Sequence, residues 1–292
     1  MPVLDPAFAA SRVTPLILTL SCMDQPGIVH AVSGAIAASG GNIIQSQQFG
    51  DTDTGLFFMR VETDLPGDET AFRQDMAVLA ERFGMTWQLD RQGRPLRTVI
   101  MVSKEGHCLS DLLYRQRSRA LPLDIAAVVG NHPDLAPLAE FYGVPFVHLP
   151  VTPETKAQAE AALLDLIERE GVELVVLARY MQILSDQLCR QMSGRIINIH
   201  HSFLPSFKGA RPYAQAYARG VKLMGATAHY VTADLDEGPI IEQDVTRITH
   251  ADSVAAMVQQ GQDVERRVLA QAVTWHAEHR VLLNGHRTVV FR

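Results

Sequence analysis

Short apolar runs alternate with amphipathic stretches along the first 90 residues. Residues 14–22 (TPLILTLSC) are almost continuously apolar between turn-forming residues, which predicts a buried strand. Residues 28–38 carry apolar side chains at helical intervals and precede two glycines, which predicts a helix with Asp24 as its cap. The same criteria predict strands over 42–49, 56–61 and 85–89 and a helix over 69–83. The resulting β-α-β-β-α-β order is that of a ferredoxin-like domain.

The pattern changes after residue 97, where continuous apolar strands alternate with helices. Strands are predicted over 99–102, 123–129, 145–149 and 171–178, with helices from about Leu109, near Leu135 and over 154–169. This alternation is typical of a mostly parallel sheet covered on both faces. The stretch RQGRPLR, with three arginines, a glycine and a proline, is typical of a linker. We therefore predict an α/β protein with domains 1–90 and 98–292 joined by a linker over 91–97.

Composition restricts the size of the core, the partners and the compartment of the protein. The chain has 292 residues, 47% of them apolar and 20% charged, which is enough to bury a core in each of two domains. Residues 1–90 carry 4 basic and 11 acidic residues and the remainder 22 and 21, so no nucleic acid partner is expected. Three cysteines without paired spacing favour a reducing compartment. Without an apolar run of spanning length or a recognisable leader, the sequence predicts a soluble, cytoplasmic protein with no membrane partner.

Most of the candidate chemistry lies in two segments. In the first, Asn198 and His200 end an apolar strand and share one face, whereas His201 points to the other. In the second, a strand with His229 leads into a turn that carries Asp236. An amide, an imidazole and a carboxylate are the groups that acyl transfer or hydrolysis requires. By spacing alone, these residues also fit strand-end hydrogen bonding and an ordinary turn.

Two other kinds of site are compatible with the residue types. A transition-metal site could be built from His200, His201, His229 and Asp236, because imidazole and carboxylate groups are suitable ligands. However, neighbouring histidines on a strand should diverge and the chain has no HExxH motif, so no metal is expected. Cys108, after His107, offers a nucleophilic thiol, although a buried cysteine at a helix start is the favoured interpretation.

Three longer motifs resemble known families. Residues 196–210 (IINIHHSFLPSFKGA) and 225–241 (GATAHYVTADLDEGPII) resemble the formyltetrahydrofolate-dependent formyl transferases. Residues 24–43 (DQPGIVHAVSGAIAASGGNI) resemble an amino-acid-binding ACT domain. Together, over nearly the whole chain, they are similar to the formyltetrahydrofolate deformylase family. The resemblance implies a Rossmann-like formyltransferase fold behind an ACT-like regulatory domain.

That resemblance also implies an activity and a site. The activity is hydrolysis of 10-formyltetrahydrofolate to tetrahydrofolate and formate, which supplies formate for purine synthesis and balances the one-carbon pool; no cofactor is permanently bound. Asn198, His200 and Asp236 match the family's catalytic positions, and apolar Leu235, Pro239 and Ile240 are expected to raise the pKa of Asp236. The implied folate-binding positions are Met181, Gln182, Ile183, Leu184, Thr227, His229, Ala233, Asp234 and Leu235. Gln182 replaces an arginine found in many relatives, which leaves the folate glutamate tail without that ionic contact.

The ACT resemblance implies regulation by a small amino acid. Its binding positions would be Asp24, Gly27, Ile28 and Asn42, and glycine and methionine are the candidate effectors. The alternative is that this domain serves only self-association. In either case we expect a homo-oligomer, a dimer or a tetramer.

Two departures from the transferases favour water as the formyl acceptor. Glycinamide ribonucleotide formyltransferases carry a glycine- and serine-rich phosphate loop after the first strand of this domain, where this chain has VSKEGHCLSDLL with one glycine and Glu105. His201 stands where the transferases usually have proline. The alternatives are formyl transfer to an amine such as glycinamide ribonucleotide and an inert amino-acid-sensing protein on the same fold.

Overall fold

The computed structural model describes residues 15–205 and 212–292, which form two compact units. The first comprises the described residues up to Arg94 together with Phe291 and Arg292, and the second comprises Pro95–Val290. The fold is mixed α/β, as the sequence predicts.

The first unit is a four-stranded antiparallel sheet in the order β2-β3-β1-β4 with two helices, the predicted ferredoxin-like arrangement. Its elements are β1 (Leu16–Met23), α1 (Ile28–Ala38), β2 (Asn42–Asp51), β3 (Leu56–Asp64), α2 (Glu69–Phe83) and β4 (Thr86–Arg91). Val32 and Ile36 of α1 pack with Phe72 and Met76 of α2 in one buried cluster against the sheet. Both helices have the predicted bounds: Gly40 and Gly41 follow α1 after its cap Ser39, and the left-handed Gly84 ends α2.

Asp24 does not cap α1, contrary to the prediction. The cap residue is Gly27, whose φ of 98° is the left-handed conformation that glycine adopts at little cost, and no side chain bonds to the cap. By contrast, the Asp68 carboxylate caps α2 by accepting a hydrogen bond from the Thr70 amide.

The second unit contains a seven-stranded sheet in the order β11-β10-β9-β8-β5-β6-β7. Strands β5 to β9 are parallel, and the pair β10–β11 is antiparallel at one edge. The strands are β5 (Leu96–Val102), β6 (Leu123–Gly130), β7 (Phe146–His148), β8 (Leu174–Leu177), β9 (Ile196–His200), β10 (Leu223–Tyr230), β11 (Ile240–Arg247), β12 (Val281–Asn284) and β13 (Arg287–Val290), the last two forming a separate hairpin. The helices are α3 (His107–Arg117), α4 (Ala136–Phe141), α5 (Lys156–Glu170), α6 (Asp186–Gln191), α7 (Pro212–Arg219) and α8 (Val254–Ala277).

The large sheet is buried on both faces, as its apolar strands predict. Ile100 and Val102 of β5 belong to the cluster that includes α3 and α8, whereas Val99 and Met101 belong to the cluster that includes α5 and α6. Successive side chains of a strand point to opposite faces, so one apolar strand contributes to both cores.

The junction between the units is shorter than the predicted linker, 91–97. β4 extends to Arg91 and β5 begins at Leu96, so only residues 92–95 lie outside strands. Arg97 belongs to the sheet domain because its guanidinium pairs with Asp124 at 2.9 Å and with Glu170 at 3.0 Å.

Candidate active site

The carboxyl end of β9 and the neighbouring strand β10 place four polar side chains on one face of the sheet. In their antiparallel register, Asn198 lies opposite His229 and His200 lies opposite Thr227. Residues two apart on a strand share a face, and so do directly opposed residues, so all four point to the same side. The pairing of two neighbouring strands thus brings together residues that are about 30 positions apart.

Asp236 reaches this group from the turn between β10 and β11. Its Oδ1 lies 3.3 Å from His200 Nδ1 and 3.9 Å from His229 Nε2, and Asn198 Nδ2 lies 3.3 Å from the same His229 Nε2. The three predicted catalytic side chains, Asn198, His200 and Asp236, therefore come together, with His229 as a fourth member.

The turn that presents Asp236 is tightly constrained. Asp236 has a φ of 57°, and the Tyr230 amide donates to the Pro239 carbonyl across the turn at 2.9 Å. A Cβ on Gly238 would lie 1.7 Å from the Tyr230 carbonyl oxygen, so only glycine lets the two backbone segments approach this closely. The turn holds a strained residue at the point where the carboxylate is needed.

His229 orients the Asn198 amide. His229 Nδ1 lies 2.8 Å from the Tyr230 carbonyl oxygen and must donate to it, so Nε2 is the acceptor of the neutral ring. Burial lowers the pKa of His229 despite the hydrogen bond to Tyr230, which keeps the ring neutral. Asn198 Nδ2 therefore donates to His229 Nε2, and the direction of the amide is fixed.

The pKa of Asp236 is lowered, contrary to the expectation that it would be raised. The hydrogen bond from His200 is the largest cause and outweighs burial. Of the three apolar neighbours, Pro239 is buried, whereas Leu235 and Ile240 are 59% and 37% exposed. Asp236 is therefore ionised at neutral pH.

His200 directs its second ring nitrogen away from Asp236. Its side chain is 8% exposed, and Nε2 is buried without a hydrogen-bond partner among the described residues. When both ring nitrogens carry a proton, this buried nitrogen can donate to a substrate oxygen. The His201 ring lies 5.2 Å from the His200 ring at a tilt of 34°, so the two rings do not diverge as predicted; β9 ends at His200, and strand alternation no longer applies beyond it.

The buried Thr227 side chain forms hydrogen bonds to the residues around it. It is fully buried, and its hydroxyl accepts hydrogen bonds from the Leu204 amide and Gln243 Nε2 and donates to the Ser202 carbonyl. These bonds fix the loop that follows His200. Gln243, on β11, was not predicted from the sequence, because its role depends on the β10–β11 pairing.

The other predicted folate-binding residues lie on two segments near this group. Met181 and Ile183 are 57% and 59% exposed, and the Met181 amide is anchored to the Ser103 hydroxyl at 2.9 Å. Gln182 and Ile183 line a small cleft with Lys156 of α5, and the Leu184 side chain is buried at its base. The second segment, residues 233–235, is exposed in the turn before Asp236.

The predicted effector positions of the first unit are only partly brought together. Asp24, Gly27 and Ile28 lie where β1 ends and α1 begins, but the Ile28 side chain is buried, leaving only its backbone available. Asn42 pairs with Asp64 at the opposite end of the sheet. The eight residues of β1 separate that end from Asp24, which corresponds to about 25 Å along the strand. The reason is that α1 runs back along the sheet and β2 starts where α1 ends.

The alternative sites are not formed as the sequence suggested. Cys108 is buried at the start of α3, and burial raises the pKa of its thiol well above the usual value, so it is not a nucleophile. Within residues 15–205 and 212–292, the group with ligand atoms close enough for one ion is His107, Cys108 and Glu265, and not the four predicted residues.

Comparison with known proteins agrees with this architecture. Residues 96–273 match the formyl transferase family and residues 16–74 match the ACT domain. The formyltetrahydrofolate deformylase of Corynebacterium sp. (strain P-1) is 50% identical over 281 residues, which cover 94% of this chain and 98% of that protein.

Solved structures give the same result. A formyltetrahydrofolate deformylase from Pseudomonas syringae pv. tomato matches with a TM-score of 0.93 at 47% identity, covering 98% of this chain and 97% of that one. One from Burkholderia mallei matches with a TM-score of 0.93 at 49% identity, covering 96% and 100%. No helix within the described residues is long and apolar enough to cross a membrane. Identity at this level over nearly the full length places the chain in the formyltetrahydrofolate deformylase family, with an ACT domain ahead of its formyl transferase domain.

Proposed function

We propose that this protein hydrolyses 10-formyltetrahydrofolate to tetrahydrofolate and formate. The observation that carries the proposal is the convergence of Asn198, His200 and Asp236 around one point at the carboxyl end of β9. Open α/β sheets bind their ligands at this end of the strands. The reaction would supply formate for purine synthesis and balance the one-carbon pool.

In this mechanism, water attacks the formyl carbon and the carbonyl oxygen becomes an oxyanion. His200 Nδ1 donates to Asp236, so Nε2 can donate to that oxyanion only when both ring nitrogens carry a proton. The Asn198 amide is the second donor, and each such donor lowers the barrier by about 3 kcal/mol. His229 acts as a positioning residue because it fixes the Asn198 amide.

Asp236 is the proposed general base. Its carboxylate accepts a proton from the attacking water, and a proton is returned to the aryl amine nitrogen as the C–N bond breaks. The His200 ring, 3.3 Å away, orients the carboxylate and keeps it ionised before water attacks. None of these steps requires a metal ion or a permanently bound cofactor.

The loop after β5 supports water, and not a phosphorylated amine, as the acceptor. The Ser103 hydroxyl is already bonded to Asn131 at 2.7 Å and to the Met181 amide. Gly106 is packed so closely that a Cβ there would lie 2.9 Å from Leu135. Glu105 is exposed in the same loop, and its negative charge disfavours a phosphate there.

The direct test is formate release from 10-formyltetrahydrofolate by the purified full-length protein, with and without glycinamide ribonucleotide. The proposal requires release without an acceptor. Turnover that depends on the amine would establish the transferase alternative, and no turnover with either would support the inert sensor.

The cleft beside Gln182 predicts a contact for the glutamate tail of the folate. Lys156 lines this cleft and begins α5, where the helix dipole also favours a carboxylate. We expect Lys156→Met to raise KM several-fold for a polyglutamated substrate and to leave kcat unchanged, since an exposed ionic contact is worth about 1 kcal/mol or less. Steady-state kinetics at low and high salt will measure this, with exposed Lys222→Met as the control. A kcat effect with constant KM would contradict the assignment.

The first unit is proposed to bind glycine or methionine at the start of α1. Gly27 leaves the first amides of the helix without a side-chain cap, and those amides can receive a carboxylate. We expect calorimetric titration with one of the two amino acids to give heat and a change in the hydrolysis rate. Asp24→Ala should weaken that binding, and Asn42→Ala, at the far end of the sheet, should not. Neither heat nor a rate change would support self-association as the only role.

Self-association itself is proposed through the first unit. β2 is an edge strand of ten residues, and its Ile44 and Phe49 side chains are 48% and 46% exposed. A long exposed edge of this kind favours pairing with another chain. Light scattering of the full-length protein should therefore give the mass of a dimer or a tetramer, and a monomer would contradict the proposal.

A further inference from the structure

A buried charged cluster, built around Glu265, lies beside the proposed reaction centre and has no part in the mechanism above. Glu265 of α8 is 1% exposed. Its carboxylate is bonded to His107 Nε2 at 2.8 Å and accepts from the Tyr213 hydroxyl at 2.5 Å. Arg179, which follows β8, places its Nε 3.4 Å from the same carboxylate. Three elements thus meet at one acid, which sequence spacing does not reveal.

Arg179 has hydrogen-bonding capacity that the protein does not use. Its Nε and Nη1 atoms are buried, and among residues 15–205 and 212–292 neither has an acceptor in hydrogen-bond geometry. Its φ is 64°, a conformation that is costly for a residue with a side chain. Buried N–H groups without acceptors are also costly, so these two groups can receive an acceptor that is not among the described residues.

The charges around Arg179 suit an anion. His107 and Arg179 overcome the effect of burial and lower the pKa of Glu265, so it is a carboxylate that neutralises one positive charge. His201 lies between this cluster and His200, and its pKa falls to about 4 through burial and through the positive charge of Arg179. The positive field of the guanidinium therefore extends beyond Glu265 towards the reaction centre.

A metal ion fits the cluster around Glu265 less well than an anion does. His107, Cys108 and Glu265 offer ligand atoms within 4.8 Å of one another. However, the Arg179 guanidinium would repel a cation beside Glu265, and the raised pKa of Cys108 keeps its sulfur protonated. Both features favour an anionic ligand.

We propose that Arg179, flanked by His107 and His201, binds a small carboxylate, and that this carboxylate is the formate released by hydrolysis. The inference rests on the proposed function. At the end of a guanidinium, the Nη1 and Nη2 N–H groups form a planar fork that matches the two oxygens of a carboxylate, and Nη1 of Arg179 is buried without an acceptor among the described residues. The His200 and His201 rings are 5.2 Å apart, and the positive charge of Arg179 acts on His201, so Arg179 lies on the His201 side of the reaction centre.

The test is calorimetric titration of the full-length protein with sodium formate, against sodium chloride at equal ionic strength. We expect formate to bind and to inhibit hydrolysis. Arg179→Met should weaken formate binding at least tenfold, and Arg179→Lys, which keeps the charge without the fork, should weaken it less. Arg119→Met is the matched control, because Arg119 also has a positive φ but is exposed at the end of α3.

Two results would overturn the site: no formate binding by the wild-type protein, or equal formate affinity in Arg179→Met. If Arg179→Met does not fold, the comparison of the wild type with Arg179→Lys decides, and unchanged formate affinity in the lysine variant overturns the site. Failure here is distinct from failure of the proposed function. Hydrolysis without formate binding removes only this site. Formate binding without hydrolysis keeps Arg179 as a carboxylate-binding residue and removes the proposed activity, together with the assignment of formate as its product.

Discussion

Asp236→Asn should lower the rate of formate release by roughly 10²- to 10⁴-fold while tetrahydrofolate binding stays within about twofold. Asparagine preserves the shape of the side chain, and the turn that presents it is fixed by the backbone, including Gly238. What the variant loses is the ability to accept a proton from water. Single-turnover formate release and equilibrium binding of tetrahydrofolate separate these two properties.

The control for this variant is Asp165→Asn, which makes the same chemical change at an exposed position on α5. It should hydrolyse at the wild-type rate. Near-normal formate release from Asp236→Asn would remove Asp236 from the mechanism. An equal loss of binding and turnover would show instead that Asp236 serves substrate binding.

The lowered pKa of Asp236 changes how its role is understood. A carboxyl group in an apolar pocket would be a stronger base, but this one faces His200, and solvent reaches the exposed side chains around it. Asp236 is thus a weak base that is fully ionised at neutral pH. Its contribution depends on placement beside the attacking water, and a bound folate that displaces solvent would raise the pKa of Asp236 from this lowered value.

The local sequence pattern was sufficient to predict the helices of the first unit. Residues 28–38 and 69–83 are helices with the predicted bounds, because apolar periodicity and terminal glycines coincide there. The cap of α1 was missed because a left-handed glycine does not have the side-chain signature of Asp or Ser. The separation of Asn42 from Gly27 was also missed, since a motif 20 residues long does not reveal which end of the sheet each residue occupies.

The sequence predicted which residues form the site but not the contacts between them. Asn198, His200 and Asp236 could be chosen from their chemistry and from the family resemblance, but the pairing of Asn198 with His229 follows from the β9–β10 register. Glu265 lies in a 24-residue helix far along the chain, and its meeting with Arg179 is a purely tertiary contact. No spacing rule connects residues 86 positions apart.

His200→Ala should lower kcat by roughly 10²- to 10³-fold, the usual effect of removing one oxyanion donor. It should also raise the pKa of Asp236, because the hydrogen bond from His200 is the largest cause that lowers it. A carboxylate with a lowered pKa loses its charge only as pH falls through that lowered value, so the acid limb of kcat/KM should move to higher pH in the variant.

His200→Gln tests which function of the ring matters, because a glutamine amide can still donate to an oxyanion. We expect it to recover part of the lost kcat, whereas His148→Ala, at an exposed position on β7, should behave as the wild type. If His200→Ala lowers kcat and leaves the acid limb unmoved, His200 does not act on Asp236. If it raises KM alone, the imidazole binds substrate in its ground state, and the oxyanion must be stabilised by Asn198 and by groups outside this pair.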